Sequence, residues 1–332
     1  MKKVFPALVV FLFVSVVFAE TTLEKTDYGY DVKNDGRLFA SYRADAYDGM
    51  PIVWPIVGPT GHRMTRDYPL NQDSPPCEKK DHPHHRSLWF NHGEMRYDGD
   101  KIANFWHLDK DRVVHKKYVK TDSDGKVATL VTENAWVTEA RKTLCTDTRT
   151  LRFAVINRKW RGIDFDITIK AVEDIVFGDT KEGTFGLRVP GSMDTDAKKR
   201  NPAWGGTIIN ALGDKDGATW AKRADWVDYS GPVEDAQHGR ATVGMTVMNH
   251  PSSFRYPTYW HVRDYGLFAA NPFGVHDFEN KKDERPGEHA MKKGDEITLR
   301  YRILLHEGPA DPAVLRQAFE GYGNAASHEF NY

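Results

Sequence analysis

The chain has 332 residues, with 46 Lys+Arg against 47 Asp+Glu, a formal net charge of −1 and a hydrophobic fraction of 40%. That balance excludes a basic nucleic-acid binder, because phosphate recognition needs clustered positive charge. An aromatic content of 12% excludes disordered and low-complexity chains and leaves a folded globular protein with enough apolar material for a sizeable core.

The N-terminus reads as an export signal over residues 1–19. Lys2 and Lys3 precede an apolar run from Val4 to Phe18, which ends in the small-residue pattern before Glu20. As a helix that run is about 22 Å long, too short for the hydrocarbon core of a membrane. No later stretch could span one, so a periplasmic or secreted protein is expected, with a single domain over residues 20–332. The two cysteines, Cys77 and Cys145, could pair in such a compartment or lie apart as buried thiols.

Period-two alternation runs through the rest. Expected strands are Leu38–Arg43, Arg112–Thr121, Val127–Thr138, Leu151–Asn157, Ile163–Ala171, Thr184–Val189, Arg240–Met248, Tyr256–Val262 and Ile297–Leu305. Turn clusters such as Asn34-Asp35-Gly36 and Lys293-Gly294-Asp295 separate them. One helix is expected at the C-terminus, with Asp311 as N-cap, Pro312 in its first turn, Leu315, Phe319 and Tyr322 on one face, and Gly323 as its stop. The fold class predicted is all-β, a large antiparallel sandwich with one terminal helix.

Polar residues with chemistry concentrate in four places. Between Asp81 and His92 lie His82, His84, His85 and His92, four of the 14 histidines. They could supply an acid/base group, or His82, His84 and His92 could hold a transition metal with a carboxylate such as Asp81; a loop of ordinary hydrogen-bonded histidines is the alternative. In Phe254–Gly274, Tyr259, His261 and Arg263 share one strand face, opposite Trp260 and Val262. Lys181-Glu182 sits between glycines, as a positioned pair or an exposed hairpin tip. Asn104–His107 brings Trp106 and His107 together, and Arg66-Asp67 adds a further possible pocket pair.

Several of these segments resemble the PmoA-like family of exported bacterial proteins of unknown function, often labelled "methane oxygenase". The resemblance runs through Pro55–Pro59, Arg66–Pro69, HPHHRSLWFNHG, Phe105-Trp106, GDTKEGTFGLRV, TYWHVRDYGLFAANPFG and the final GDEITLRYRILLHEG. It covers nearly all of the chain beyond the leader and implies a supersandwich like that of galactose mutarotase. The label's methane chemistry belongs to a membrane helical protein and does not suit a strand-rich chain.

The function expected is an exported carbohydrate-active enzyme, an epimerase, lyase or hydrolase acting on a sugar or uronate glycan by proton transfer. In this reading His85 and His261 are base and acid and Glu182 is a further acid/base group. Arg66 or Arg263 neutralises a carboxylate, and Trp89, Trp106, His107 and Tyr259 contact the sugar. No cofactor is expected. The alternatives are a metal enzyme at His82, His84 and His92, with zinc, iron or copper, and a non-catalytic glycan binder.

Overall fold

The computed structural model describes residues 20–44, 49–282, 284–309, 311–324 and 330; the expected leader, residues 1–19, lies outside them. Two eight-stranded antiparallel sheets face each other. The first runs β1 (Thr21–Lys25), β2 (Gly29–Asn34), β3 (Arg37–Arg43), β4 (Ile52–Ile56), β5 (Leu88–His92), β13 (Gly183–Arg188), β18 (Leu267–Asn271), β17 (Tyr259–Val262). The second runs β14 (Thr207–Asn210), β15 (Trp226–Asp235), β16 (Gly239–Asn249), β20 (Glu296–Glu307), β11 (Trp160–Ala171), β10 (Thr143–Asn157), β9 (Val127–Val137), β8 (Arg112–Ser123). A smaller sheet, β19 (His289–Met291), β12 (Ile175–Phe177), β6 (Met95–Tyr97) and β7 (Lys101–Ala103), adds to the same core.

Alternation explains the packing. In β11, Ile163, Phe165, Ile167 and Ile169 are buried in the core, paired with Ile303, Tyr301, Leu299 and Ile297 of β20. Aromatic contacts tie the two sheets: Phe39 to Phe153 at 5.8 Å, Phe90 to Phe165 at 6.1 Å and Phe185 to Tyr301 at 4.4 Å between ring centroids. Such pairs add attraction beyond the burial of their area.

The outer faces are covered as well. Helix α1 (Pro312–Asn324) lays Leu315, Ala318 and Tyr322 on Trp226, Met248 and Leu304, so both faces of β20 are buried there. Asp311 caps it, its Oδ1 accepting from Ala313 N–H at 2.9 Å. The helix runs through Gly323, which does not stop it. A Cβ at that position would stand 3.1 Å from Pro251 Cγ, so glycine serves a close approach there. Outside the first sheet, Trp54, Trp89, Trp106, Leu108, Leu267 and Ala269 form a second apolar cluster.

One further expectation is corrected, and one left open is resolved. The strand expected from Tyr256 starts only at Tyr259: Arg255 has φ +56° and Pro257 has no N–H to give a ladder. The cysteines do not pair; Cys145 is buried in the core and Cys77 is half-buried. No described helix is long and apolar enough to cross a membrane.

Candidate functional site

The site grows on the outer face of the first sheet. Gly186 of β13 has no side chain, and Trp89 of β5 lies in the space so left; a Cβ would fall 2.4 Å from its ring. His85 stacks on Trp89 at 5.4 Å and meets Trp106 edge-on at 5.8 Å. Trp89 and Trp106 are therefore the buried floor of the site rather than exposed sugar platforms, which corrects their expected role.

Two arginines fold the histidine loop over this floor. Arg66 is buried and its guanidinium donates to the backbone carbonyls of Lys79, Asp81, His82 and His85 and to Asp81 Oδ1. Every one of those bonds is to the loop, so Arg66 positions it instead of meeting a substrate. Burial, with Arg188 nearby, pushes its pKa down to about 10, which leaves it charged at neutral pH. Arg188, from β13, donates one Nη to His85 Nδ1 and the other to Asp81 Oδ1, both at 2.9 Å. A guanidinium can only donate, so the proton of His85 sits on Nε2.

Asp81 in turn faces His82, with its Oδ2 3.2 Å from Nδ1. Burial opposes the Asp81 charge, but Arg188 and Arg66 outweigh it and hold the carboxyl below its usual range. An ionised Asp81 accepts from Nδ1–H and leaves Nε2 of His82 as a lone pair, the orientation of a general base by a third group. His82 has φ +43° and is exposed, stacked between His85 at 4.8 Å and Tyr265 at 5.2 Å.

Tyr265 joins the loop to the β17–β18 turn. Arg188 lies 5.0 Å and Arg263 5.6 Å from its ring centroid, and Arg263 also lies 5.6 Å from Trp220. Among the described residues the Tyr265 hydroxyl and the Arg263 guanidinium make no hydrogen bond. Burial raises the phenol pKa, and Arg263 and Arg188 pull it back. His84 sits edge-on to His85 and to His107 at 4.5 and 4.8 Å, with His107 exposed at the rim.

The remaining expected residues divide. His261 and Tyr259 share a face away from Trp260 and Val262, as the alternation requires. His261, however, is buried, its Nδ1 3.1 Å from the Lys181 carbonyl, so it braces the Lys181-Glu182 turn. Tyr259 donates to Glu279 and faces that partner instead. Glu182 is half-buried and 3.4 Å from Lys181 Nζ. His92 is enclosed by Phe177 and Phe273, with Nε2 2.9 Å from the Gly178 carbonyl. His82, His84 and His92 thus do not gather donor atoms within 4.8 Å of one another, and the expected metal set is not assembled.

Burial disqualifies His85 and His261 as a protonated acid. Desolvation lowers His85 far below its ordinary range, His84 to about 3, and His92 and His261 each to about 4. A histidine kept neutral in the fold stabilises it fully above the unfolded pKa near 6.5, and that contribution is lost as pH falls toward the folded value. For His92, wholly buried, the loss by pH 4 is on the order of 3 kcal/mol. Proton NMR should show the ring signals of His84, His92 and His261 unmoved from pH 8 to 5.5. A midpoint near 6.5 for His92 would overturn this reading.

Sequence marks Asp81 only as a carboxylate for the metal alternative, and it does not single out Arg188 or Tyr265 as site residues. Arg188 reads as one more residue of a strand, and Tyr265 as part of a turn.

The chain resembles solved structures only distantly. One is a heparan sulfate lyase, HepC, from Pedobacter heparinus, at 8% identity and a TM-score of 0.38, matching 88% of this chain and 36% of that one. A galactose 1-epimerase from Lactobacillus acidophilus aligns at 9% identity and 0.36, over 88% and 100%. The chain spans about a third of the length of the lyase, and at these scores neither likeness bears on what it does. No curated protein matches. The family model that does match covers residues 29–320, so the chain belongs to the family of unknown function DUF6807.

Proposed function

We propose that this protein is an exported carbohydrate-active enzyme that abstracts the proton next to the carboxylate of a uronate unit, as a lyase or epimerase. The observation that carries this reading is the Asp81–His82 pair stacked on Tyr265, with Arg263 over the same ring. A proton α to a carboxylate becomes removable when the developing negative charge is neutralised and a base stands within reach. Arg263, free of hydrogen bonds among the described residues, clamps the carboxylate. His82 Nε2 takes the proton. In elimination the freed electron pair forms the carbon–carbon double bond as the neighbouring C–O bond breaks, and Tyr265 gives its proton to the departing oxygen. In epimerisation Tyr265 returns the proton to the opposite face. His82 then loses its proton to water and Tyr265 regains one.

His85, expected to be the base, instead holds Arg188 in place and supports His82 from below. The test is a panel of uronate glycans incubated in deuterated water and followed by NMR and by the ultraviolet absorbance of unsaturated uronate. Deuterium at the carbon beside the carboxylate of epimerised or recovered substrate, or unsaturated uronate from elimination, each lost in His82→Gln, is the expected result. Arg263→Ala should lower kcat/KM by ~10²–10³-fold. An epimerised product without deuterium, or exchange and unsaturated product both unaltered in His82→Gln, would remove His82 as the base.

A further inference from the structure

A different set of side chains meets where two turns touch. After β4 the chain turns through Gly58–His62, and the β15–β16 hairpin tip, Asp235–Gly239, packs on it. Gly61 makes the approach possible: it has φ +87°, and a Cβ there would stand 2.7 Å from His238 Cδ2. His62 is buried, and its Nε2 lies 2.9 Å from the Gly239 carbonyl and 3.9 Å from Asp235 Oδ2. His238 Nδ1 lies 3.0 Å from the same Asp235 oxygen. Donors about 2.0–2.2 Å from a tetrahedral ion stand roughly 3.3–3.6 Å apart, and the separations here bracket that range.

We propose that His62, Asp235 and His238, with the Gly239 carbonyl, bind one divalent transition-metal ion of the zinc class. The protons have somewhere to go. A carbonyl only accepts, so neutral His62 carries its proton on Nε2, and its Nδ1 accepts from the Thr60 hydroxyl at 2.9 Å. When the ion takes Nε2 the proton moves to Nδ1, where the same hydroxyl accepts it; a hydroxyl serves either tautomer. His238 moves its proton from Nδ1 to Nε2 in the same way. Asp235 supplies negative charge, and imidazole with carboxylate suits zinc better than calcium. The ion ties the hairpin tip to the turn beside a cavity of about 450 Å³ lined by Arg63, Asp67 and Glu78. This site is independent of the proton-transfer reading.

The test is equilibrium dialysis of the untagged protein against Zn²⁺, with metal counted by mass spectrometry and Co²⁺ absorption as a readout of tetrahedral geometry. Near one equivalent is expected. His238→Ala and Asp235→Asn should each raise Kd by ~100-fold or more, and Thr60→Val by ~10-fold, with His84→Ala unchanged. His238 and Asp235 stand at a partly exposed tip, and an unchanged Tm for these variants without metal verifies their fold. Less than half an equivalent at ~100 µM Zn²⁺, or metal lost in His84→Ala but kept in His238→Ala, would overturn the proposal.

Discussion

Replacing Tyr265 with phenylalanine is expected to lower turnover of a uronate glycan by ~10²–10⁴-fold, the usual contribution of a positioned proton donor. The ring would stay stacked on His82 and beneath the two arginines, and the lost hydroxyl has no hydrogen-bond partner among the described residues. Stability should therefore hold within about 0.5 kcal/mol, and Tm measured alongside activity separates chemistry from folding. The substitution also splits the mechanism. In an eliminating enzyme His82 still abstracts the proton, so solvent deuterium keeps entering the recovered substrate while product formation falls. His82→Gln, by contrast, abolishes both. A Tyr265→Phe protein with full turnover would leave the hydroxyl no role.

The largest loss of stability is expected at Asp147, away from the site. Its carboxylate on β10 accepts from Asn134 Nδ2 at 2.6 Å, Trp136 Nε1 at 2.7 Å, and Arg149 Nε and Nη2 at 2.9 and 3.0 Å. Arg149 and Asp147 are both buried. Asp147→Leu leaves a guanidinium without its counter-charge in the core, a defect that costs about 3–5 kcal/mol. For a chain of this size that is a fall in Tm on the order of 10 °C. The urea midpoint should drop with little change in slope. Adding Arg149→Met should recover much of the loss, because the stranded charge rather than the missing pair is the main cost. A single variant as stable as the parent would show that water reaches Arg149.

The sandwich was legible in the residues because alternation is a local steric rule. Ile163, Phe165 and Ile167 point inward whatever the rest of the chain does, and Trp260 and Val262 oppose His261 for the same reason. Asp311 and Pro312 likewise announce their helix. The leads to the site were partly legible, since the histidine-rich loop and Arg263 do stand around it. Which of their groups can act was not.

That choice depends on environment, and environment comes from distant segments. Arg188 reaches His85 across 103 residues and Asp81 across 107. Burial keeps His85 neutral and these contacts fix its proton on Nε2, while the Asp81 they hold orients the neighbouring His82, the base of the proposed reaction. Trp89 and Trp106 have the composition of a sugar platform, but the loop that Arg66 anchors seals them beneath it. His62 and the hairpin tip at Gly239 are 177 residues apart, so their donor set has no spacing to read. The chain's own order specifies strands, faces and caps, because those follow from bonds between neighbours. Desolvation, tautomers and ligand sets appear only when the sheets have closed and brought charges from separate loops within a few ångströms.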